Sequence, residues 1–252
     1  MLLLLPAVAS AQRPSPAPAV PPDDLSGIRQ QLADLKAQQT AIEQDVQAIR
    51  ALLESALGAR GGPHLASVEI KGRPVKGSPA AKVVIVEFTD YQCPYCGAFA
   101  AATFPQIDRN YIATGKIRYV VKNLPIESIH PQAFRAAVGA LCAGDQGHYW
   151  EMHDRLFANQ KQLAPARIEA EAAATGIDMT AFRSCLTGTS HDALIRADVD
   201  EAARAGVDGT PMFALALADA SAETITPAKV IVGAEPYAAF ASAIDALLAQ
   251  AK

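Results

Sequence analysis

Two cysteines separated by two residues are the most reactive feature of the sequence, in the motif Cys93-Pro94-Tyr95-Cys96. An apolar, β-branched run at 82–89 precedes them and apolar residues at helical spacing follow, which predicts a strand leading into a helix. Cys93 would then lie at the helix N-terminus, where unpaired N–H groups and the helix dipole favour an anion. Pro94 suits the first helical position, because no N–H is needed there. Since the thiolate is the nucleophile in disulfide exchange, the motif predicts a redox-active dithiol with Cys93 as the attacking sulfur.

Metal binding and a purely structural disulfide are the alternative explanations of this motif. A closed zinc site needs four ligands, usually from a second paired motif. The remaining cysteines, Cys142 and Cys185, stand far apart in the sequence, and His148 and His153 do not share a helix face. No His-Glu-x-x-His motif occurs. We therefore expect neither a metal site nor a cofactor.

Composition and the first residues indicate where such a dithiol would act. Half of the 252 residues are hydrophobic, enough for a full core, and the net charge of −4 has no long run of one sign, so we expect no nucleic-acid partner. The apolar stretch 2–8 ends in Ala9-Ser10-Ala11, a small-residue cleavage signal, although no Lys or Arg precedes it. We predict a signal peptide at 1–11 and a periplasmic or otherwise extracytoplasmic location. Four cysteines, an even number, fit an oxidising compartment.

A heptad repeat follows a proline-rich segment. Residues 12–24 contain many prolines and are predicted to be a disordered linker. At 25–57, seam positions recur alternately three and four residues apart, which predicts a coiled-coil helix. Leucine predominates at position a and isoleucine at position d, which favours a trimer or tetramer, whereas a single amphipathic helix is the alternative. The glycines and proline at 58–66 predict a hinge. The seam residues are Leu25, Ile28, Leu32, Leu35, Gln39, Ile42, Val46, Ile49 and Leu53.

The elements after the motif predict an α/β domain. A second strand is expected at 116–122, and a strand–helix–strand unit of this kind implies parallel pairing. A helical block at about 131–205 leads to Gly209-Thr210-Pro211, and strands are expected at 212–217 and 230–232. A closing helix at 236–250 completes the order.

This order of elements is similar to that of the DsbA-like thioredoxin-fold family, bacterial exported thiol–disulfide oxidoreductases, over about residues 68–250. The stretches 87–92, 142–146 and 150–154 resemble the family closely. The resemblance implies a thioredoxin fold at 67–252 with an inserted helical domain at about 128–205.

The resemblance also implies roles for individual residues. Cys93 corresponds to the reactive cysteine and Cys96 to the resolving one, and Pro211 corresponds to the family's cis-proline. An X–Pro bond is the one peptide bond where the cis form costs little, and a cis turn would expose the backbone of Thr210 to an extended substrate. Substrate contacts are expected at Pro94, Tyr95, Thr210 and Pro211. Because Tyr95 brings no positive charge where the strongest oxidants carry histidine, we do not expect a very oxidising potential.

Glu87 and the other two cysteines complete the expected site. The resemblance implies that Glu87, like the carboxylate at its place in the family, carries a proton for the deeper cysteine. Burial would raise the pKa of Glu87, which suits that task. The alternative is a residue that faces water at the end of its strand. A basic partner is expected from Arg118 or Lys122. Cys142 and Cys185, both in the helical insertion, are predicted to form a structural disulfide, with two buried thiols or a second redox pair as alternatives.

Three functions remain open from the sequence. The first is an exported oxidoreductase that forms disulfides in proteins. The second is an oligomeric isomerase or reductase that resembles the trimeric copper-tolerance relatives of the family. The third is a non-catalytic, stalked binding or chaperone module. The expected partners are exported proteins with thiols or disulfides, a membrane redox partner, and further copies of the chain in a homo-oligomer, with a trimer favoured.

Overall fold

The computed structural model describes residues 22–59 and 65–251, with the side chains of 26–49 in the first segment. The predicted signal peptide at 1–11, most of the proline-rich segment at 12–24 and much of the hinge at 58–66 lie outside the described residues. Two compact units, Met1–Gly61 and Gly62–Lys252, divide the chain.

The first unit contributes one long helix, α1 (Pro22–Ala59). It begins inside the segment expected to be a linker, since proline is accepted in a first helical turn. Gln39 in the predicted seam donates a hydrogen bond to Glu43 Oε1 at 3.0 Å. No helix within 22–59 or 65–251 has the length and hydropathy needed to cross a membrane. Among the described side chains of α1, at 26–49, the large exposed apolar ones are Ile28, Leu32, Leu35, Ile42, Val46 and Ile49.

The second unit is organised around a five-stranded sheet of order β2–β4–β3–β5–β7. The central strand β3 is buried along its whole length, pairs in parallel with β4 and pairs antiparallel with β5. A separate two-stranded sheet joins β1 to β6. The strands are β1 (Val68–Glu69), β2 (Val75–Gly77), β3 (Val83–Thr89), β4 (Ile117–Asn123), β5 (Met212–Leu217), β6 (Thr224–Ile225) and β7 (Lys229–Val232).

Helices lie between and after these strands. Five of them, α4 to α8, lie between β4 and β5 and make up the helical insertion. The helix expected after the cysteines ends early, because Pro105 cannot continue the backbone ladder, and a short helix and a π-helical turn (Asp108–Ile112) follow. The helices are α2 (Pro94–Ala102), α3 (Phe104–Ile107), α4 (Ala133–Gly144), α5 (Tyr149–Ala158), α6 (Pro165–Ala173), α7 (Met179–Thr187), α8 (Asp192–Arg204) and α9 (Tyr237–Gln250).

The two faces of the sheet bury separate cores. Val83 and Ile85 contribute to one core together with side chains of α2, α4, α5 and α9. Val84 and Val86, on the opposite face, pack with β1, β6 and Ala202 of α8. Because side chains alternate along a strand, Glu87 belongs to the first face and lies on the side of α2. This architecture confirms the predicted α/β thioredoxin fold with a helical insertion.

A buried ionic network lies beneath the second face. Lys122 Nζ, which is fully buried, lies 2.7 Å from Asp198 Oδ1 and 2.6 Å from Glu201 Oε2. Arg73 Nη2 lies 2.9 Å from the same oxygen of Asp198, and the Asn123 backbone N–H donates to Asp198 Oδ2. The network therefore joins the segment before β2 to β4 and α8.

Candidate active site

Cys93 is the N-cap residue of α2. Its backbone is extended (φ −67°, ψ 121°), and Pro94 occupies the first turn of the helix. The Cys93 carbonyl accepts a hydrogen bond from the Gly97 N–H at 3.1 Å, and the Cys93 N–H donates to the Asp90 carbonyl at 3.0 Å. The strand-to-helix turn thus places this sulfur at a helix N-terminus.

The two active-site thiols have opposite electrostatic environments. The pKa of Cys93 is lowered to about 5, first by a hydrogen bond from the Cys96 thiol and further by the backbone N–H groups of Cys96 and Tyr95, while burial opposes the shift. The pKa of Cys96 is raised, first by burial, then by its bond to Cys93 and by the charge of Glu87. Near neutral pH the pair therefore combines a thiolate at Cys93 with a thiol at Cys96.

Cys93 is largely covered by the surrounding domain. The residue is only 4% exposed, against 0% for Cys96, so its sulfur does not project freely into solvent. Pro94 and Tyr95 are the exposed residues of the motif. A reaction partner must therefore approach across the motif and the neighbouring loop.

That neighbouring loop contains Thr210 and Pro211, whose peptide bond is cis. While Cys93 carries its proton, the thiol donates to the Thr210 carbonyl at 3.2 Å. The Gly233 N–H donates to the Pro211 carbonyl at 2.8 Å. The buried Thr210 hydroxyl also acts on the two sulfurs and lowers the pKa of both Cys93 and Cys96. The loop expected to contact substrate thus lies directly against the reactive sulfur.

Glu87 is buried on β3 rather than facing water. The Tyr119 hydroxyl donates to Glu87 Oε2 at 2.7 Å, and Glu87 Oε1 has no partner among the described residues. Burial raises the pKa of Glu87, although the bond from Tyr119 and the nearby His153 act in the opposite direction. An acid of this kind holds its proton to higher pH than an exposed glutamate.

The prediction that Arg118 or Lys122 is the basic partner of Glu87 was wrong. Lys122 binds Asp198 and Glu201, and the guanidinium of Arg118 donates to the backbone carbonyls of 219 and 220. Both basic residues lie on the opposite face of β4 from Tyr119, because side chains alternate along a strand. That alternation was readable in the sequence and pointed to Tyr119, which sequence reasoning missed.

Gln160 is a second residue that the sequence did not reveal. It lies in a 3₁₀ turn (Gln160–Gln162) of the helical insertion. Its side-chain amide donates to the Cys93 carbonyl at 2.9 Å and to the Tyr91 carbonyl at 3.2 Å. A Cβ at Gly97 would collide with the side-chain amide of Gln160, so glycine at this position lets the amide keep its bonds to the turn. The insertion therefore holds the backbone of the reactive turn.

Asp90 fixes the other side of the turn. Its carboxylate, which is buried, accepts from the Gln92 N–H at 2.7 Å and from the Ile126 N–H at 2.8 Å. His130 Nδ1 lies 2.8 Å from the same carboxylate. These bonds connect the end of β3 to the loop after β4.

Cys142 of α4 and Cys185 of α7 form a disulfide, the pairing predicted from the sequence, with their Cα atoms 5.8 Å apart. Cys142 is buried, whereas Cys185 is partly exposed. The bond joins two helices of the insertion and involves neither Cys93 nor Cys96.

Comparison with known proteins places these features in a family. The sequence matches the family Thioredoxin_4, described as thioredoxin, over residues 69–223. It is 40% identical over 139 residues to Na(+)/H(+) antiporter NhaA 1 of Salinispora arenicola, a match that covers 55% of this chain and 21% of the antiporter. The chain thus spans about a fifth of the length of the antiporters that it matches.

One further relative is a disulfide protein by name, and a solved structure matches the fold. Disulfide bond formation protein D of Bacillus subtilis is 33% identical over 91 residues, covering 36% of this chain and 41% of that protein. The crystal structure of Wolbachia pipientis α-DsbA1 superposes with a TM-score of 0.65 at 22% identity, covering 73% of this chain and 94% of that one. The structural match establishes the fold. Since the family match covers more than half of the sequence, the chain belongs to the thioredoxin family and has a DsbA-like fold.

Proposed function

We propose that this chain is an exported thiol–disulfide oxidoreductase that forms disulfides in protein substrates through Cys93 and Cys96. The main support is that the two sulfurs differ in acidity. The pKa of Cys93 is lowered to about 5, whereas that of the neighbouring Cys96 is raised. A second support is the Thr210 carbonyl, 3.2 Å from the reactive sulfur. The name of the Bacillus subtilis relative agrees with this chemistry.

The proposed reaction begins with the oxidised enzyme, in which Cys93 and Cys96 are joined. A client thiolate attacks Cys93 Sγ, which forms a mixed disulfide and breaks the bond to Cys96. Cys96 leaves as a thiolate and takes a proton, since its raised pKa favours the thiol. Glu87, an acid on the same face of the sheet with a raised pKa, is proposed to supply that proton.

A second client thiolate then completes the exchange. It attacks the client sulfur of the mixed disulfide, and Cys93 leaves as the stabilised thiolate. Two electrons have passed from the client to the cysteine pair. The two client thiols have released two protons. One of them restores the proton that Glu87 gave to Cys96, and the other remains in solvent.

Substrate is proposed to bind as an extended segment along the cis-proline loop. The backbone at Thr210 would pair with it as with an added strand, and the exposed Pro94 and Tyr95 would flank it. The Thr210 carbonyl accepts from Cys93 only while that sulfur carries its proton, so the bond is absent when Cys93 is a thiolate, is oxidised or is joined to a client. The loop is therefore available to substrate when it is needed.

Location and the second partner follow from this chemistry. The predicted signal peptide at 1–11 and the Cys142–Cys185 disulfide support a periplasmic or otherwise extracytoplasmic location. Each catalytic turnover leaves Cys93 and Cys96 reduced. A membrane redox partner is therefore proposed to remove their two electrons.

Trapping of a mixed disulfide tests the proposed activity. The Cys96→Ala variant has no second active-site thiol to resolve the intermediate, so incubation with a single-cysteine peptide, activated as a disulfide with a small thiol, should give a covalent adduct at Cys93. The matched Cys93→Ala variant should give none. Wild-type protein, oxidised in advance, should speed disulfide formation in reduced, unfolded ribonuclease. Absence of both the adduct and the acceleration would support a non-catalytic binding module instead.

A second candidate, an oligomeric isomerase, is supported by the exposed seam of α1. An apolar stripe of this kind is proposed to assemble three chains around a coiled coil. Sedimentation of the full chain should give a trimer mass, and Ile42→Lys in the seam should give a monomer. Ala37 lies on the face of the helix opposite the seam, so Ala37→Lys should leave the mass unchanged. If the trimer exists, refolding of scrambled ribonuclease separates isomerase from oxidase activity.

A further inference from the structure

Potential metal ligands surround the second disulfide. The ligand atoms of Cys142, Cys185 and His191 all lie within 4.8 Å of one another. Asp145 Oδ2 lies 2.8 Å from His191 Nε2 and 3.6 Å from Cys185 Sγ. In the described segments 26–49 and 65–251, no other set of three such side chains is grouped as closely. The cluster lies where the end of α4, the end of α7 and the start of α8 meet.

Reduction would turn this cluster into a tetrahedral donor set. Two thiolates, one imidazole and one carboxylate are ligand types that Zn²⁺ accepts, with metal–ligand distances of about 2.0–2.3 Å. Such distances place neighbouring donor atoms about 3.4–3.8 Å apart in a tetrahedron. Asp145 Oδ2 already lies at that spacing from Cys185 Sγ, at 3.6 Å, whereas the two sulfurs must separate and the 2.8 Å contact between Asp145 and His191 must lengthen.

We propose that the Cys142–Cys185 disulfide gates a zinc site formed by Cys142, Cys185, His191 and Asp145. A dithiol reductant supplies two electrons and two protons, which break the S–S bond into two thiols, and the reductant becomes a disulfide. Binding of Zn²⁺ then releases the two thiol protons to solvent. While the disulfide is intact, the sulfurs are bonded to each other and the site does not exist.

A cavity gives the ion a route to the cluster. Asp145 and His191 line a surface cavity of about 260 Å³, room for several waters at about 30 Å³ each. Cys185 is partly exposed, which gives a reductant access to one of the two sulfurs. Arg73 also lines the cavity, but its charge is paired with Asp198 and Glu69. The site is thus open to solvent on the side of its imidazole and carboxylate.

The zinc content of the full chain tests the proposal. The measurement uses the double variant Cys93→Ser, Cys96→Ser, which lacks the other dithiol. The result is therefore independent of the proposed enzymatic function. The protein is reduced with a dithiol, freed of reductant without oxygen, exposed to Zn²⁺ and desalted. About one zinc per chain is expected in the reduced protein and none in the oxidised protein. Cobalt should give thiolate charge-transfer absorption only after reduction.

Ligand variants and stability make the test decisive. Asp145→Asn and His191→Ala should each weaken zinc binding ten-fold or more, whereas Asp200→Asn, an exposed carboxylate elsewhere on α8, should not. Zinc should raise the melting temperature of the reduced protein, or refold it if reduction unfolds it, and should leave the oxidised protein unchanged. Equal zinc content in the two redox states, no thermal effect, or full affinity in both ligand variants would overturn the proposal.

Discussion

The hydrogen bond from Cys96 to Cys93 gives the sharpest test of the active-site electrostatics. It is the largest cause of the lowered pKa of Cys93, about 5 against a reference of 9.0. A hydrogen bond to a charged group contributes about 1.5–3 kcal/mol, and one pKa unit corresponds to about 1.4 kcal/mol. Cys96→Ala should therefore raise the pKa of Cys93 from about 5 to about 6 or 7.

The same shift makes the stability of the reduced protein depend on pH. Because the folded pKa of Cys93 lies below its unfolded value, the stabilisation is fully present above 9.0 and is lost as the pH falls through about 5. At pH 7 it amounts to about 3 kcal/mol, because about two pH units separate pH 7 from the folded pKa. Stabilisation of the thiolate favours the reduced form. The Cys93–Cys96 disulfide should therefore be more oxidising, by about 60 mV, than one whose Cys93 kept the reference pKa.

Alkylation of Cys93 by iodoacetamide, followed across acidic and neutral pH and assigned by peptide mass, measures this pKa directly. Cys96→Ser is the matched control, since its hydroxyl can donate in place of the thiol and should keep the pKa closer to 5 than Cys96→Ala does. Wild-type Cys93 that titrates near 9.0, or Cys96→Ala that titrates with the wild type, would refute the reasoning.

Three further outcomes are expected from the supporting residues. Gln160→Ala removes two hydrogen bonds to the reactive turn and should lower the urea-unfolding free energy by about 1–3 kcal/mol and loosen the turn in hydrogen exchange. Tyr119→Phe removes a bond that lowers the pKa of Glu87, so the carboxyl ¹³C resonance should titrate at higher pH. Asp198→Asn removes the negative charge that Arg73 and Lys122 share, and should lower the unfolding free energy by about 3–5 kcal/mol.

Each of these outcomes has a control. Gln162→Ala, an exposed neighbour in the same 3₁₀ turn, should leave stability unchanged, and equal losses at 160 and 162 would argue against the clamp. Glu87→Gln should abolish the assigned ¹³C titration, and an unchanged pKa in Tyr119→Phe would show that the bond is unimportant. Asp200→Asn on the exposed side of α8 should be nearly neutral.

The central elements were predictable because their signals are local. The apolar run of β3, the proline after Cys93 and the helical spacing beyond it lie within one short stretch of sequence. The strands β1, β2 and β6 were missed, since two or three residues show no periodicity. Their pairing depends on long-range contacts, as in the antiparallel match of Val68 with Ile225.

Side-chain partners were harder to predict than elements. The face of β4 that meets Glu87 followed from alternation, but the choice of Tyr119 over other residues required the fold. Gln160 reaches Cys93 from 67 positions away in the chain, and no local pattern marks it. The coverage of Cys93 also depends on a distant segment, the loop at Thr210.

The buried ionic network has a mechanical consequence. Tension applied to the chain upstream of Leu65 would load β1 and its pairing with β6 first, and then the segment that leads into β2, where Arg73 is tied to Asp198. Separating that segment would remove Arg73 from a buried carboxylate, which would keep only Lys122 and the Asn123 N–H as partners. Unfolding under such tension should therefore begin at β1 and the edge strand β2, before β3, the strand that leads to the thiols, is loaded.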